Sequence, residues 1–330
     1  MKVAIVTQPL MDNYGCLLQN YALQQALKQL GHEPVTIDFI PLLPFRKYVR
    51  NTLRVFFRGA TYLPLFQKRR EPFDSFVRSH IATIPGGRKY RRRILDKYGI
   101  EAIVVGSDQV WRQIYNLKTI PDMFLGFARN FKGPRVAYAA SFGIDSWDVP
   151  EKHWPFLARL AKRFTSVSVR ESSGIRICHE CLGVDAVQMP DPVFLLPAGS
   201  YLDICRGVAV KDEDYLAAYI LDKDPETEAM IEEKAAAKGL EVRYFTSGKD
   251  ATLPVDEWLA YFCDASYVIT DSFHGSVFAK MFGRPCEVIR NPKRGGSRFD
   301  YLDKGVDFND LRESGLAFLK DALSGKTDKR

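Results

Sequence analysis

Short β-branched runs, each breaking into polar residues and then into a helical pattern, decide what this chain can fold into. Lys2–Thr7 reads as a strand, Tyr14–Leu30 as a helix capped by Asp12 or Asn13 and stopped by Gly31, and Pro34–Ile40 as a second strand. Strand, helix and strand in that order predict a parallel pair. The alternation resumes with strands at Ala102–Gly106, Arg135–Ser141 and Ser166–Val169, and helices near 150–163 and 171–181. A second half repeats it. Strands are expected at Tyr215–Leu221, Glu241–Phe245, Tyr267–Thr270 and Pro285–Ile289, and helices at 225–238, 255–263, 274–282 and near 308–323. The expectation is an α/β chain of two domains, residues 1–196 and 197–330. Asp191-Pro192 closes the first and Pro197–Ser200 serves as a hinge. Two such halves hold substrate in the cleft between them. Residues 41–98 interrupt the pattern. They are rich in Arg, Phe and Pro, and predict two or three irregular helices inserted into the sheet.

The totals narrow the classes. A length of 330 residues suits two domains or one large one, and 46% hydrophobic with 12% aromatic residues is enough for a packed core. Disordered and collagen-like classes are excluded. No apolar run reaches the roughly 18 residues of a membrane helix. The first apolar stretch is short and runs into Gln8 and Pro9 with no small-residue cleavage site, unlike a secretion signal. A cytosolic protein with reduced cysteines is therefore expected. Cys178-His179-Glu180-Cys181 has no second ligand pair for zinc, and it lies near a helix end, whereas a redox pair opens a helix. The histidines at 32, 80, 153 and 179 have no metal spacing, so no metal is expected. The first turn, Gln8 to Gly15, lacks G-x-G-x-x-G, which argues against a nicotinamide or flavin cofactor.

Charge is unevenly spread. Residues 46–93 hold 14 Lys/Arg against two acids, Glu71 and Asp74, a net of +12, so the remainder carries about −5 of the chain's +7. A solvated helix face is the structural reading of such a run. The functional ones are an anionic membrane surface or an acidic glycan. No stacking motif accompanies the charge, and nucleic acid is not expected as a partner.

Chemistry is expected at three strand ends, because ligands of open α/β sheets collect beyond the carboxyl ends of the strands. In Ile269-Thr270-Asp271-Ser272-Phe273-His274-Gly275, a strand gives way to a helix whose first turn holds His274. The positive helix end disfavours an imidazolium there unless an anion is bound. A histidine so placed can hold a phosphate or move a proton. Asp271 or Ser272 caps the helix. In Ser168-Val169-Arg170-Glu171, Arg170 offers a planar fork for a carboxylate or phosphate, or pairs with Glu171. In Val104-Val105-Gly106-Ser107-Asp108, the glycine permits a sharp turn. Asp108 then acts as a base, grips sugar hydroxyls, or caps an Asx-turn. Trp111 is either a sugar platform or a core residue. Asp12-Asn13-Tyr14-Gly15 can form an anion-binding nest, with Gln19 one turn further on, and Arg298 after a Gly-Gly pair can bring a second guanidinium.

Together, D-N-Y-G-C-L-L-Q-N-Y-A-L at 12–23, V-G-S-D-Q-V-W at 105–111, Y-A-A-S-F-G at 138–143, S-V-R-E-S-S-G at 168–174, D-P-V-F-L-L at 191–196 and T-D-S-F-H-G-S-V-F at 270–278 resemble the polysaccharide pyruvyl transferase family. The resemblance implies two Rossmann-like domains with mostly parallel sheets, facing each other across a cleft in a GT-B-like arrangement. It implies phosphoenolpyruvate as donor, a surface polysaccharide or its lipid-linked precursor as acceptor, and a pyruvate ketal as product. It places the catalytic histidine on His274 and the strand-end arginine on Arg170. Some members carry an arginine two positions before that histidine; here the residue is Ser272, so Arg298 is expected to help bind the donor. The expected site is therefore His274 and Asp108 for catalysis, and Arg170, Arg298, Ser272 and Gly275 for the donor. Asn13, Tyr14, Gln19 and Trp111 are expected to meet the acceptor. The basic insertion is expected to face the inner membrane surface. A nucleotide-sugar glycosyltransferase of the same fold and a non-catalytic glycan- or membrane-binding protein are the alternatives, because fold alone does not decide function.

Overall fold

The computed structural model of the chain describes residues 1–39, 62–87, 90–117, 119–208, 210, 214–290 and 299–324. Much of the basic stretch therefore lies outside the described residues, and so does Arg298.

Two parallel sheets form the frame. The larger has seven strands: β1 (Lys2–Val6), β2 (Glu33–Phe39), β3 (Thr83–Gly87), β4 (Ala102–Val105), β5 (Arg135–Ala140), β6 (Ser166–Val169) and β7 (Val187–Gln188), in the order β3-β2-β1-β4-β5-β6-β7. The smaller has four: β8 (Tyr215–Tyr219), β9 (Glu241–Phe245), β10 (Tyr267–Thr270) and β11 (Cys286–Val288), in the order β11-β10-β8-β9. Each sheet reverses its winding once, between β1 and β4 in the first and between β8 and β10 in the second. Such a switch point leaves a crevice at the strand ends, because the flanking connections leave to opposite faces. The two Rossmann-like halves expected from the alternation are thus present.

The central strands β1, β4, β5 and β8 are buried on both faces, as their largely apolar content requires in a parallel sheet. Ala4, Val6, Ile103 and Val105 pack on one face, with Val3, Ile5, Val104 and Tyr138 on the other. The second face is closed by Leu319, Ala322 and Leu323 of the last helix, Phe308–Ser324, which returns from the small sheet to the large one. Gly315 permits that return, since a side chain there would collide with the Tyr138 hydroxyl and Leu195.

The sheets meet through an aromatic joint. The first helix, Tyr14–Gln29, contributes Tyr14, fully buried, whose ring stacks on Trp258 at 4.9 Å and packs against Phe73 at 4.8 Å. Its hydroxyl donates to the Leu253 carbonyl at 2.7 Å. Leu17, Leu18 and Phe194 continue the same apolar cluster into Tyr201, Phe262 and Phe278.

Two stretches differ from expectation. Residues 41–98 are not an all-helical insertion: a helix at Tyr62–His80 is followed by β3, the edge strand of the large sheet. Pro85-Gly86-Gly87 hides this strand from propensity reasoning, yet an edge tolerates proline. Gly86 also lets β3 approach β2, because a Cβ there would lie 2.8 Å from the Asp38 carbonyl oxygen. The expected hinge at Pro197–Ser200 instead opens a helix, Ala198–Cys205, with Pro197 at its cap.

Trp258→Ala empties the joint. The expected loss is about 3–5 kcal/mol of stability, measured as a lower midpoint in denaturant unfolding; a midpoint equal to the parent's would show that the stack does not hold the sheets together.

Candidate active site

The switch points of the two sheets open onto one cavity of about 210 Å³. Six strand ends, those of β1, β4, β6, β8, β9 and β10, build its wall. Beyond β1, Asn13 caps the first helix, its side chain accepting from the Cys16 N–H at 3.1 Å, and Gly15 lies in the first turn. Beyond β4 comes Asp108, with φ +67°, a left-handed conformation that a non-glycine residue adopts at a cost of about 1 kcal/mol or more. The turn is held by the Ser141 N–H donating to the Asp108 carbonyl at 3.1 Å, and by the Asp108 carboxylate accepting from the Gln109 N–H at 2.8 Å. Beyond β10, Ser272 caps the helix Phe273–Met281, accepting from the Gly275 N–H at 3.4 Å. Asp271 accepts from the N–H groups of Leu221 and Asp222 beyond β8, at 2.8 and 2.9 Å. Beyond β9, Ser247 and Gly248 both donate to the Asp12 carbonyl, at 3.0 and 2.8 Å, and so tie the small sheet to the first loop of the large one.

Two helix N-termini therefore point at the same small space. Each carries a partial positive charge, which favours an anion there. His274 lies where they meet. Its ring rests over Gly15, and any side chain at that position would collide with the imidazole. Glycine is required at 15 by this close approach, not by its backbone angles.

Behind the cavity runs a buried ionic network. Asp191, fully buried, accepts from Arg170 Nη1 at 2.8 Å and from the Ser107 hydroxyl at 3.1 Å, and its Oδ2 lies 3.7 Å from His274 Nε2. Its other oxygen accepts from the Val193 N–H at 3.2 Å. Burial alone would raise the Asp191 carboxyl; His274 and Arg170 outweigh it and hold the group well below the usual carboxylate range. Arg170 also donates to the Ser141 hydroxyl at 3.1 Å, and its guanidinium lies over the Phe273 ring at 5.1 Å. Glu171 accepts from the N–H groups of Phe142 and Gly143 and from the Ser141 hydroxyl. Burial pushes its carboxyl up despite the Arg170 charge beside it.

The structure brings together Asn13, Asp108, Arg170, Ser272 and His274 at the cavity wall. Gly275 lies just beneath, where a Cβ would come within 2.6 Å of the Thr270 hydroxyl, so it brings the helix close to β10. Tyr14, Gln19 and Trp111 do not line the cavity. Tyr14 belongs to the aromatic joint. Gln19 donates to the Thr7 hydroxyl at 3.0 Å inside the sheet. Trp111 stacks on Phe124 at 4.7 Å and donates to the Met123 carbonyl. Sequence reasoning missed Asp191, Gln109, Tyr219, Ser247 and Gly248. For Asp191 a signal was present: it lies three residues after β7, as Asp108 lies three residues after β4. The C-x-x-C pair is not an activated thiol pair, since burial raises both Cys178 and Cys181. Among the described residues, no three His, Cys, Asp or Glu side chains cluster to hold a metal ion, and no helix is long and apolar enough to cross a membrane.

Asp191→Asn removes the nearest counter-charge of the buried Arg170 and leaves it only Glu171 at 3.8 Å, and up to about 3–5 kcal/mol should be lost at neutral pH. The folded-state pKa of Asp191 is depressed. Its contribution is therefore fully present above the ordinary aspartate value of about 3.9 and drains away as pH falls below it. The stability gap between parent and variant should narrow on acidification from pH 7 to 3; a gap that stays constant would refute this assignment.

Solved structures share this architecture at low sequence identity. S. aureus MnaA in a co-structure with UDP superposes with a TM-score of 0.54 at 12% identity, over 98% of this chain and 91% of that one. The Methanocaldococcus jannaschii UDP-GlcNAc 2-epimerase, in complex with UDP-GlcNAc and UDP, superposes with a TM-score of 0.52 at 13% identity, over 100% and 94%. At this identity the likeness concerns the fold alone, and it agrees with the GT-B-like pair of parallel sheets expected from the sequence. No curated protein matches the chain. The model of the polysaccharide pyruvyl transferases matches residues 13–292, from the cap of the first helix to beyond the last strand, and the chain belongs to that family.

Proposed function

We propose that the chain transfers a pyruvyl group from phosphoenolpyruvate to two hydroxyls of a sugar, in a surface polysaccharide or its lipid-linked precursor, forming a ketal and releasing phosphate. The observation that carries this reading is the convergence of two helix N-termini on His274 in a small cavity, within a chain of this family. Phosphoenolpyruvate is a compact anion, and such a cavity suits it.

The chemistry assigns each group a task. Protonation of the donor's methylene carbon makes an oxocarbenium-like centre. One sugar hydroxyl adds to it and loses its proton; the second then displaces phosphate. His274 is the proposed acid and phosphate contact, with the Asp191 carboxylate beside its Nε2. Asp108, held at the cavity edge by its strained turn, orients or deprotonates the acceptor. Arg170 lines the cavity with both terminal nitrogens already engaged, so it acts on the donor by charge. Ser272 and Arg298 complete the proposed donor site, and Asn13 is the proposed acceptor contact. The reaction takes place at the cytoplasmic face of the membrane, with the basic residues 46–93 toward the lipid.

Incubation with phosphoenolpyruvate and a panel of lipid-linked sugars should release phosphate. His274→Ala should lower that rate by at least about 100-fold without shifting the melting temperature by more than a few degrees. Asp108→Asn, which keeps the left-handed turn but removes the charge, should lower kcat more than it raises KM. Calorimetric binding of a nucleotide sugar with no response to phosphoenolpyruvate would reject the pyruvyl donor in favour of glycosyl transfer.

A further inference from the structure

Three large apolar side chains stand in water on one short loop. Ile114 is 61% exposed, Tyr115 58% and Leu117 61%, the highest values of any large hydrophobic residue among those described. Single apolar residues on a surface are ordinary; three within four positions are not. The loop does not let them fold inward. Asn116, only 2% exposed, sits inside the turn and donates its side-chain amide to the carbonyls of Gln109, Val110 and Arg112 at 3.2, 3.0 and 3.1 Å. The Asn116 carbonyl accepts from the N–H groups of Thr119 and Ile120. The Asp148 carboxylate accepts from the N–H groups of Gln113 and Ile114 at 2.8 and 3.2 Å. The polar groups face in and fix the backbone, while the apolar groups face out.

We propose that Ile114, Tyr115 and Leu117 form an insertion tip that seats the protein on the surface of an anionic lipid bilayer. Three side chains fall far short of the roughly 20 residues a side of a stable protein interface. They suffice for shallow insertion when charge attraction assists. A tyrosine between aliphatic residues is the composition of the bilayer interface. Arg112 stands at the base of the tip with its guanidinium 5.4 Å from the Tyr115 ring centroid, a cation placed to meet an anionic headgroup as the apolar side chains enter. The loop leaves β4 directly after Asp108 and Gln109, both of which line the cavity. A seated protein therefore brings the cavity near the bilayer, and this point rests on the transferase reading, since that is where a lipid-linked sugar would arrive.

The test is sedimentation of the full chain with vesicles of phosphatidylcholine alone, and of phosphatidylcholine with phosphatidylglycerol. The parent should bind the anionic vesicles better than the neutral ones. Combined Ile114→Ser, Tyr115→Ser and Leu117→Ser should lower binding at least tenfold with an unchanged melting temperature. Tyr115→Trp should show extra blue-shifted tryptophan emission on the vesicles, which keeps the test decisive if the triple variant misfolds. Equal sedimentation of triple variant and parent would overturn the proposal and leave docking to residues 46–93. So would a parent that ignores vesicles, or one that is a dimer which the triple variant turns into a monomer, the patch then joining two copies. Vesicle binding is read without turnover, so its failure is distinct from a failure of the transferase reading.

Discussion

The site depends on one buried carboxylate oxygen. Asp191 Oδ2 meets a guanidinium, a serine hydroxyl and an imidazole that come from three different strand ends. Remove its charge and the buried Arg170 loses its nearest counter-charge, with only Glu171 left at 3.8 Å to offset it. With the charge in place, the loops after β4, β6 and β10 are pulled to a common point. Ser107, which binds it, adjoins Asp108, so the same contact helps hold the strained turn at the cavity edge. The network is thus both a fastening between the two sheets and the back wall of the chemistry.

The surrounding architecture explains why a fastening is needed at that point. Two sheets that each reverse their winding offer crevices at their strand ends, and only their mutual placement turns two crevices into one cavity. The aromatic joint through Tyr14 and Trp258 sets that placement by apolar contact. The polar ties from Ser247 and Gly248 to the Asp12 carbonyl then set it by direction. Packing supplies most of the cohesion and hydrogen bonds supply the register.

Much of this was legible in the residues. The β-α alternation locates nine of the eleven strands among the described residues, as in Lys2–Val6 or Tyr267–Thr270, and passes over the two-residue β7. It fails at Thr83–Gly87, where Pro and two Gly residues conceal a strand defined by its neighbour. His274, Arg170 and Asp108 stood out because each follows a strand closely, His274 in the first turn of the next helix. Tyr14 and Trp111 carry no such positional signal. An aromatic residue near a strand end serves a core or a ligand equally well, and the tertiary packing decides. Asp191 was passed over because the proline after it read as punctuation, whereas its role arises from groups 21 and 84 positions away in the chain.

The path of the last helix has a kinetic side. Phe308–Ser324 completes the cover of one face of the first sheet, on Val3, Ile5 and Val104, that Leu23, Ala26 and Leu27 of the first helix begin, so part of that apolar face stays bare until the last helix has been made. A nascent chain would carry that sticky surface through most of its synthesis, and chaperones would find their best target there.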